Sequence, residues 1–244
     1  MSNPTVAVTA EAAPKSLLAR FFGIITSPQA TFRAVVAHPK WFGMMALTTL
    51  IVAAGAAAPM FTEAGQEAAL ENQVAQMKTF GVDVNDQVYE RMRQGMKRAP
   101  YTAAGAVIVF TPVMAVILTG ILFAVFNAGL GGEASFKQLF AVWAHSGVIS
   151  ALAQCFTAPL NLLRGQVGSA TTVGVLLPMI DEASFLGRLL GMVDLFLIWW
   201  LVVLAIGLGV LYRRRTQPIA MSLMAVYAVI AVVVAIVRSR MGGA

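Results

Sequence analysis

The sequence contains long runs of apolar residues that no charged side chain interrupts. The longest extends from Ala99 to Gly132 and holds 34 residues. About 20 apolar residues in an α-helix are enough to cross the hydrocarbon core of a membrane. The chain is 59% hydrophobic and only 11% charged, whereas a typical soluble domain has about 25% charged residues. These features favour an integral membrane protein over a water-soluble globule.

Five apolar runs are long enough to be membrane spans. They cover about 41–62, 103–128, 138–163, 190–212 and 216–237. Because lipid cannot form hydrogen bonds with exposed backbone groups, each run is expected to be an α-helix. The sequence therefore predicts an all-α fold, a polytopic membrane helix bundle with five transmembrane helices.

The segments outside these spans differ in character. Residues 1–15 and 238–244 are predicted to be tails, and 63–98 a pair of amphipathic helices that forms an extramembrane hairpin. Residues 16–40 have the pattern of short amphipathic helices lying in the headgroup layer. Within them, Ser27 and Pro28 indicate a helix start, and Phe32 belongs to the apolar face of the helix that follows.

The distribution of cations gives a weak indication of orientation. With five spans, eight Lys and Arg residues fall on the side of the N-terminus and nine on the other side, so their number does not decide it. The Arg213–Arg215 triplet lies in the shortest connection between two spans and favours a cytoplasmic N-terminus. The C-terminus would then lie on the opposite side.

Two titratable residues are candidates for a function inside the membrane. Asp194 stands at the edge of the fourth span, where a carboxylate is costly unless it has a partner. Its possible partners are His145, Arg188 and a backbone amide at the start of its own helix; the last would make it an ordinary helix-start carboxylate. His145 in turn could pair with Asp194, or bond a neighbouring carbonyl or hydroxyl.

No set of residues in the sequence indicates catalysis. Serine, cysteine and carboxylate residues lack the neighbours that nucleophilic or acid–base catalysis requires. Two histidines and one cysteine make a zinc site improbable. We therefore expect no catalytic residue, no metal site and no cofactor. The excess of cations is better suited to anionic lipid than to nucleic acid.

Three motifs follow one another in a fixed order. They are Ile25–Phe32 with His38–Pro39, Gly131–Val142, and Asp194–Trp199 continuing to Leu208. Together with the five spans, they resemble the bacterial Yip1-domain family over roughly residues 16–237. The positions carried over as matching motif residues are Pro28, Phe32, Ser135, Phe136, Asp194, Trp199 and Gly207.

The resemblance implies a five-helix protein of the bacterial cytoplasmic membrane with a cytoplasmic N-terminus. Eukaryotic Yip1-like proteins bind small Rab-type GTPases, and they have a longer N-terminal region with an acidic Tyr-Gly-Pro motif. Residues 1–40 do not contain that motif, so GTPase binding is not expected.

The leading hypothesis is a non-enzymatic membrane protein that acts through helix–helix and protein–protein contacts in membrane organisation or trafficking-like processes. Its expected contacts are the lipid bilayer and either membrane-protein partners or further copies of itself. The alternative is a small transporter or channel that uses Asp194 and His145 at membrane depth.

Overall fold

The structure is a computed structural model that describes residues 16–168, 170–177, 179–180 and 184–241. The predicted tail 1–15 and the last three residues of the predicted tail 238–244 lie outside these ranges. The helices of the described part are α1 (Leu17–Thr26), α2 (Pro28–Ala37), α3 (Phe42–Ala57), α4 (Glu63–Thr79), α5 (Asp86–Gly95), α6 (Ala99–Phe123), α7 (Phe136–Ser146), α8 (Val148–Arg164), α9 (Val173–Leu176), α10 (Phe185–Leu190), α11 (Leu195–Leu211) and α12 (Thr216–Met241). The prediction of an all-α protein is confirmed for this part of the chain, in which an isolated β-bridge joins Thr172 and Asp194.

In the described part of the chain, four helical stretches are long and apolar enough to cross a membrane. They are Phe42–Phe61, Asp86–Gly129, Phe136–Arg164 and Thr216–Val237. The third stretch combines α7 and α8, which are separated by Gly147 alone. Helix α11 is equally apolar but has only 17 residues.

Helix α11 begins at Leu195 rather than at residue 190, where the predicted fourth span begins. The shorter helix α10 ends at Leu190, and a turn separates the two helices. Asp194 then caps α11 by accepting hydrogen bonds from the backbone N–H groups of Phe196 and Leu197. The predicted span is continuous from residue 190, but the helix is not.

Helix α3 runs parallel to the stretch formed by α7 and α8. At one level, the rings of Trp41 and Phe140 lie 4.9 Å apart. Farther along both helices, a Cβ built on Gly55 would lie 2.7 Å from Oε1 of Gln154. In both pairs, the residue of α7 or α8 follows its partner by the same number of positions in the sequence. The two helices therefore run in the same direction.

Helix α11 runs opposite to α7 and α8. Gly207, near its end, lies against Val142 of α7, whereas Phe196, near its beginning, lies 6.0 Å from Phe156 of α8. Helix α12 reverses the direction again. Its first residue, Thr216, lies against Gly209 of α11.

The bundle therefore has two distinct ends. We call the end that contains Lys40, Gly132 and Arg213 the basic end, since most of its charged residues are cations. We call the end with Phe61 and Arg164 the distal end. Helices α4 and α5 follow the distal end of α3, and the loop after α8 packs on α4 through a hydrogen bond between the Asn72 side chain and the Val167 carbonyl (3.5 Å).

Helices α1 and α2 pack deeply into the bundle. Ile24 of α1 and Phe32 of α2 are fully buried, and they join the main hydrophobic core with residues of α7, α8 and α11. These two helices therefore contact protein through one face, and the predicted interfacial placement of 16–40 stays a prediction for the rest of their surface. Leu18 and Phe22, on the opposite face of α1, are exposed.

Candidate interaction site at the basic end of the bundle

Ser135 and Gln138 define where α7 begins. The Ser135 hydroxyl accepts from the Gln138 backbone N–H, and the Gln138 side chain accepts from the Ser135 backbone N–H, which is a complete capping box. The amide nitrogen of Gln138 also donates to the Val36 carbonyl at the end of α2 (3.3 Å). One short motif thus starts a helix and ties α2 to it.

The loop before α7 is held by a small polar network. Asn127 donates from its side-chain nitrogen to the Ala134 carbonyl (2.7 Å) and accepts from the Tyr212 hydroxyl (2.7 Å). The Tyr212 ring stacks on Phe126 at 4.8 Å. A Cβ on Gly132 would lie 2.6 Å from the Tyr212 ring, so only glycine fits at this position.

The connection between α11 and α12 forms an arginine turn, residues 213–215. Arg213 has a φ of 53°, an uncommon value for a residue with a side chain. Arg214 donates from its guanidinium to the Leu130 carbonyl (2.9 Å) and so holds the loop before α7. The turn and this loop enclose an open cleft of about 460 Å³, whose lining includes Glu133 and Gln138.

The cleft is surrounded by exposed cations. Lys137, Arg213 and Arg215 are exposed, and among the described residues they form no ion pair. An ion pair between Arg93 and Glu90 (3.6 Å) lies far away in α5. The basic end thus combines loops held by hydrogen bonds with cations that have no ion-pair partner among the described residues, which suits binding to an anionic surface.

Phe32 and Gly207 meet in the core beneath this cleft. A Cβ on Gly207 would lie 2.5 Å from Val142 and 3.0 Å from the Phe32 ring. Pro28 occupies the first turn of α2, where its missing N–H has no cost. These motif residues fix how closely α2 approaches α11.

The aromatic motif residues pack on their neighbours. Phe136 lies 6.0 Å from Phe140 in a stacked arrangement and remains 40% exposed at the basic end. Trp199 stacks on Phe196, one turn earlier in α11, at 6.1 Å. Both contacts stabilise the bundle without forming a site.

His145 contacts α1 rather than Asp194. Its Nδ1 lies 2.7 Å from the Ala141 carbonyl and its Nε2 lies 3.1 Å from Nη1 of Arg20. The same Arg20 nitrogen donates to the Lys40 carbonyl (2.9 Å). Burial lowers the pKa of the Arg20 guanidinium, which nevertheless stays charged. The link between Arg20 and His145 was not predicted from the sequence, because no local pattern joins residues so far apart.

Asp194 is held at the distal end. Its Oδ1 accepts from the N–H groups of Phe196 (2.8 Å) and Leu197 (3.1 Å), and its Oδ2 accepts from the Thr171 hydroxyl (2.8 Å). The backbone N–H groups at the start of α11, one of the three partners considered above, thus bind Asp194. Asp194 and His145 lie at different levels of the bundle, so the structure does not combine them in one site.

The comparison with family models decides the relationship. The Yip1 domain model matches residues 22–237, which is most of the chain. The chain belongs to the Yip1 domain family. No curated protein and no solved structure matched it.

The Yip1 domain includes both partners of the contacts described above, except for the two contacts that Arg20 makes. The matched range begins at Phe22, so Arg20 lies just outside it and His145 inside it. Among the described residues of this Yip1-domain protein, no group of three or more His, Cys, Asp or Glu side chains is placed to hold a metal ion. The family match and the apolar helices identify a membrane protein with several candidate spans.

Proposed function

We propose that this Yip1-domain protein is a non-enzymatic protein of the bacterial cytoplasmic membrane that acts through protein–protein contacts at its basic end. The observation that carries the proposal is the cleft between the arginine turn and the loop before α7. Its walls are fixed by hydrogen bonds to Leu130 and Ala134, while cations around it have no ion-pair partner among the described residues.

We further propose five membrane crossings. Helix α11 is shorter than the four other stretches but equally apolar. Its 17 residues extend about 25 Å at 1.5 Å per residue, close to the hydrocarbon thickness of about 30 Å. The alternating directions of α7–α8, α11 and α12 support a crossing by α11. An odd number of crossings puts the termini on opposite sides.

The charges support a cytoplasmic basic end. Lys40, Lys137 and the arginine turn lie there within short connections, and short cytoplasmic loops are rich in Lys and Arg. In this orientation α4 and α5 form an extramembrane hairpin on the other side. The partners we propose are membrane proteins or further copies of this chain, in membrane organisation or trafficking-like processes.

Photo-crosslinking in native membranes tests the proposed contact surface. A benzophenone amino acid is introduced at Lys137 or at Arg213, with Gln87 in α5 as an exposed control at the distal end. We expect discrete protein adducts from the two basic-end positions, either with another protein or with a second copy, and none from the control.

Charge reversal provides the matched control. Arg213→Glu with Arg215→Glu should abolish the adduct formed from Lys137, since the surface loses its positive charge. Lys97→Glu with Arg98→Glu changes the charge equally at the distal end and should leave the adduct intact. Adducts with lipid alone from both basic-end positions would contradict the proposal.

A further inference from the structure

A cavity of about 300 Å³ opens beside α8 at the distal end. One wall is a polar row on α8, formed by Gln154, Thr157 and Asn161. Their spacing of three and four residues puts these side chains on one helix face. The other wall is made of small or flexible residues of the α3 region, and the mouth is formed by the loop after α8. These residues are Gly55, Ala56, Pro59, Met60, Val167 and Gly168.

The cavity reaches membrane depth. Gln154 precedes Arg164, the last residue of α8, by ten positions, or about 15 Å along the helix. That is about half of a hydrocarbon core roughly 30 Å thick. At this depth, Gly55 leaves room for the Gln154 side chain, since a Cβ at position 55 would lie 2.7 Å from Oε1 of Gln154.

The polar row has unused hydrogen-bonding capacity. Gln154 has two amide donors and a carbonyl acceptor, yet it makes no hydrogen bond within the described residues. Thr157 is only 6% exposed, and its hydroxyl likewise has no partner there. Asn161 uses its nitrogen to donate to the Gly168 carbonyl (2.8 Å) and keeps its oxygen available. Polar groups at this depth are costly unless water or a ligand satisfies them.

The chemistry of the lining residues indicates which class of ligand the cavity can bind. No charged side chain lines the cavity, so an ionic ligand would find no counter-charge there. A hydroxyl both donates and accepts, which matches an amide, a threonine hydroxyl and an asparagine oxygen arranged in a row. A molecule with several neighbouring hydroxyls could form hydrogen bonds with all three of these groups.

We propose that this cavity is a binding site for an uncharged polyol, either a free small molecule or the glycerol group of a lipid head. The site is separate from the contact surface at the basic end and does not depend on it.

Cysteine accessibility tests the site directly, because Cys155 is the single cysteine of the chain. In a Cys155→Ala parent, Thr157→Cys reports on the cavity, with Ala153→Cys, another lining position, as a second reporter. Phe156→Cys is the matched control, because Phe156 is 53% exposed on another face of α8 at the same depth. Open membrane sheets are treated with a charged methanethiosulfonate, which reaches thiols only through water.

We expect the cavity reporters to react many-fold faster than the Phe156 control. Glycerol should slow their reaction several-fold relative to betaine at equal osmolality, and Gln154→Leu should remove this protection. Reconstitution distinguishes the two polyol sources. If phosphatidylglycerol slows the reaction of the cavity thiols in the absence of free glycerol and phosphatidylcholine does not, the lipid head is the source of the polyol.

Two results would overturn the proposal. Equal reaction rates at the cavity and control positions would mean that water does not enter. Fast reaction that neither glycerol nor phosphatidylglycerol slows would mean that the cavity holds only water. Both outcomes are independent of the adducts formed at the basic end.

Discussion

A carboxylate at the start of an apolar helix can serve as a helix cap or as a proton or ion site. The contacts of Asp194 favour the cap, since one oxygen accepts from Phe196 and Leu197 and the other from Thr171. A cap requires an acceptor atom but no charge. This difference separates the two roles experimentally.

We expect Asp194→Asn to retain nearly all of the stability, because asparagine caps helices as well as aspartate does. Asp194→Ala should lose about 1 kcal/mol, the usual contribution of a cap. Thermal unfolding of the purified protein in detergent measures both. Equal losses in the two variants would show that the charge itself matters and would contradict the cap.

The close approach of α2 to α11 depends on Gly207. An added methyl group would lie 2.5 Å from Val142, so Gly207→Ala should destabilise the protein by about 1–3 kcal/mol through overpacking. Gly120→Ala in α6 is the matched control, since nothing lies within 4 Å of a Cβ there. Its melting temperature should stay unchanged or rise, because alanine favours the helix. A Gly207→Ala protein as stable as wild type would contradict this packing.

At the level of elements, α1 and α2 form a tight pair. A Cβ on Gly23 would lie 2.4 Å from the Thr31 hydroxyl oxygen, and this hydroxyl is buried without a hydrogen-bond partner in the described chain. Gly23→Ala should therefore be destabilising, whereas Thr31→Ala should cost little. The double variant should recover most of the loss, because the second change removes the clash.

Protease sensitivity of the N-terminal segment measures this coupling alongside the melting temperature. Additive losses in the double variant would mean that the two helices do not touch as described. Thr31→Ala alone serves as the control for removal of the hydroxyl.

The sequence predicted some elements well because their limits are encoded locally. Pro28 begins α2 directly after Ser27, although the Ser27 side chain makes no capping hydrogen bond, and the helix ends at Ala37, before His38 and Pro39. The long apolar runs likewise became α3, α6, α7–α8 and α12, since their hydropathy is sufficient for a helix in lipid.

Other elements depend on distant contacts that no local pattern contains. The start of α11 is set by Asp194, which also binds Thr171, 23 residues earlier. The burial of α1 in the bundle could not be predicted from the sequence either. An amphipathic helix can place its apolar face against lipid or against a protein core. At the candidate site, the sequence identified the arginine triplet but not the network of Asn127 and Tyr212 that orders the loop beside it.

At the level of the whole molecule, exposed apolar surface is concentrated on α6 and α12. Both helices expose large aliphatic residues over much of their length, as expected for helices that face lipid. The charged residues lie at the two ends, and the basic end has the greater excess of cations. This distribution supports the orientation proposed above, with the basic end in the cytoplasm.

The crossing by α11 is tested most directly by reporter fusions at three positions. Alkaline phosphatase is active only on the exported side, and green fluorescent protein is fluorescent only in the cytoplasm. We predict active phosphatase after residues 180 and 244, and inactive phosphatase with a fluorescent reporter after residue 214. Active phosphatase after residue 214, or a fluorescent reporter after residue 244, would contradict a five-crossing bundle with a cytoplasmic basic end.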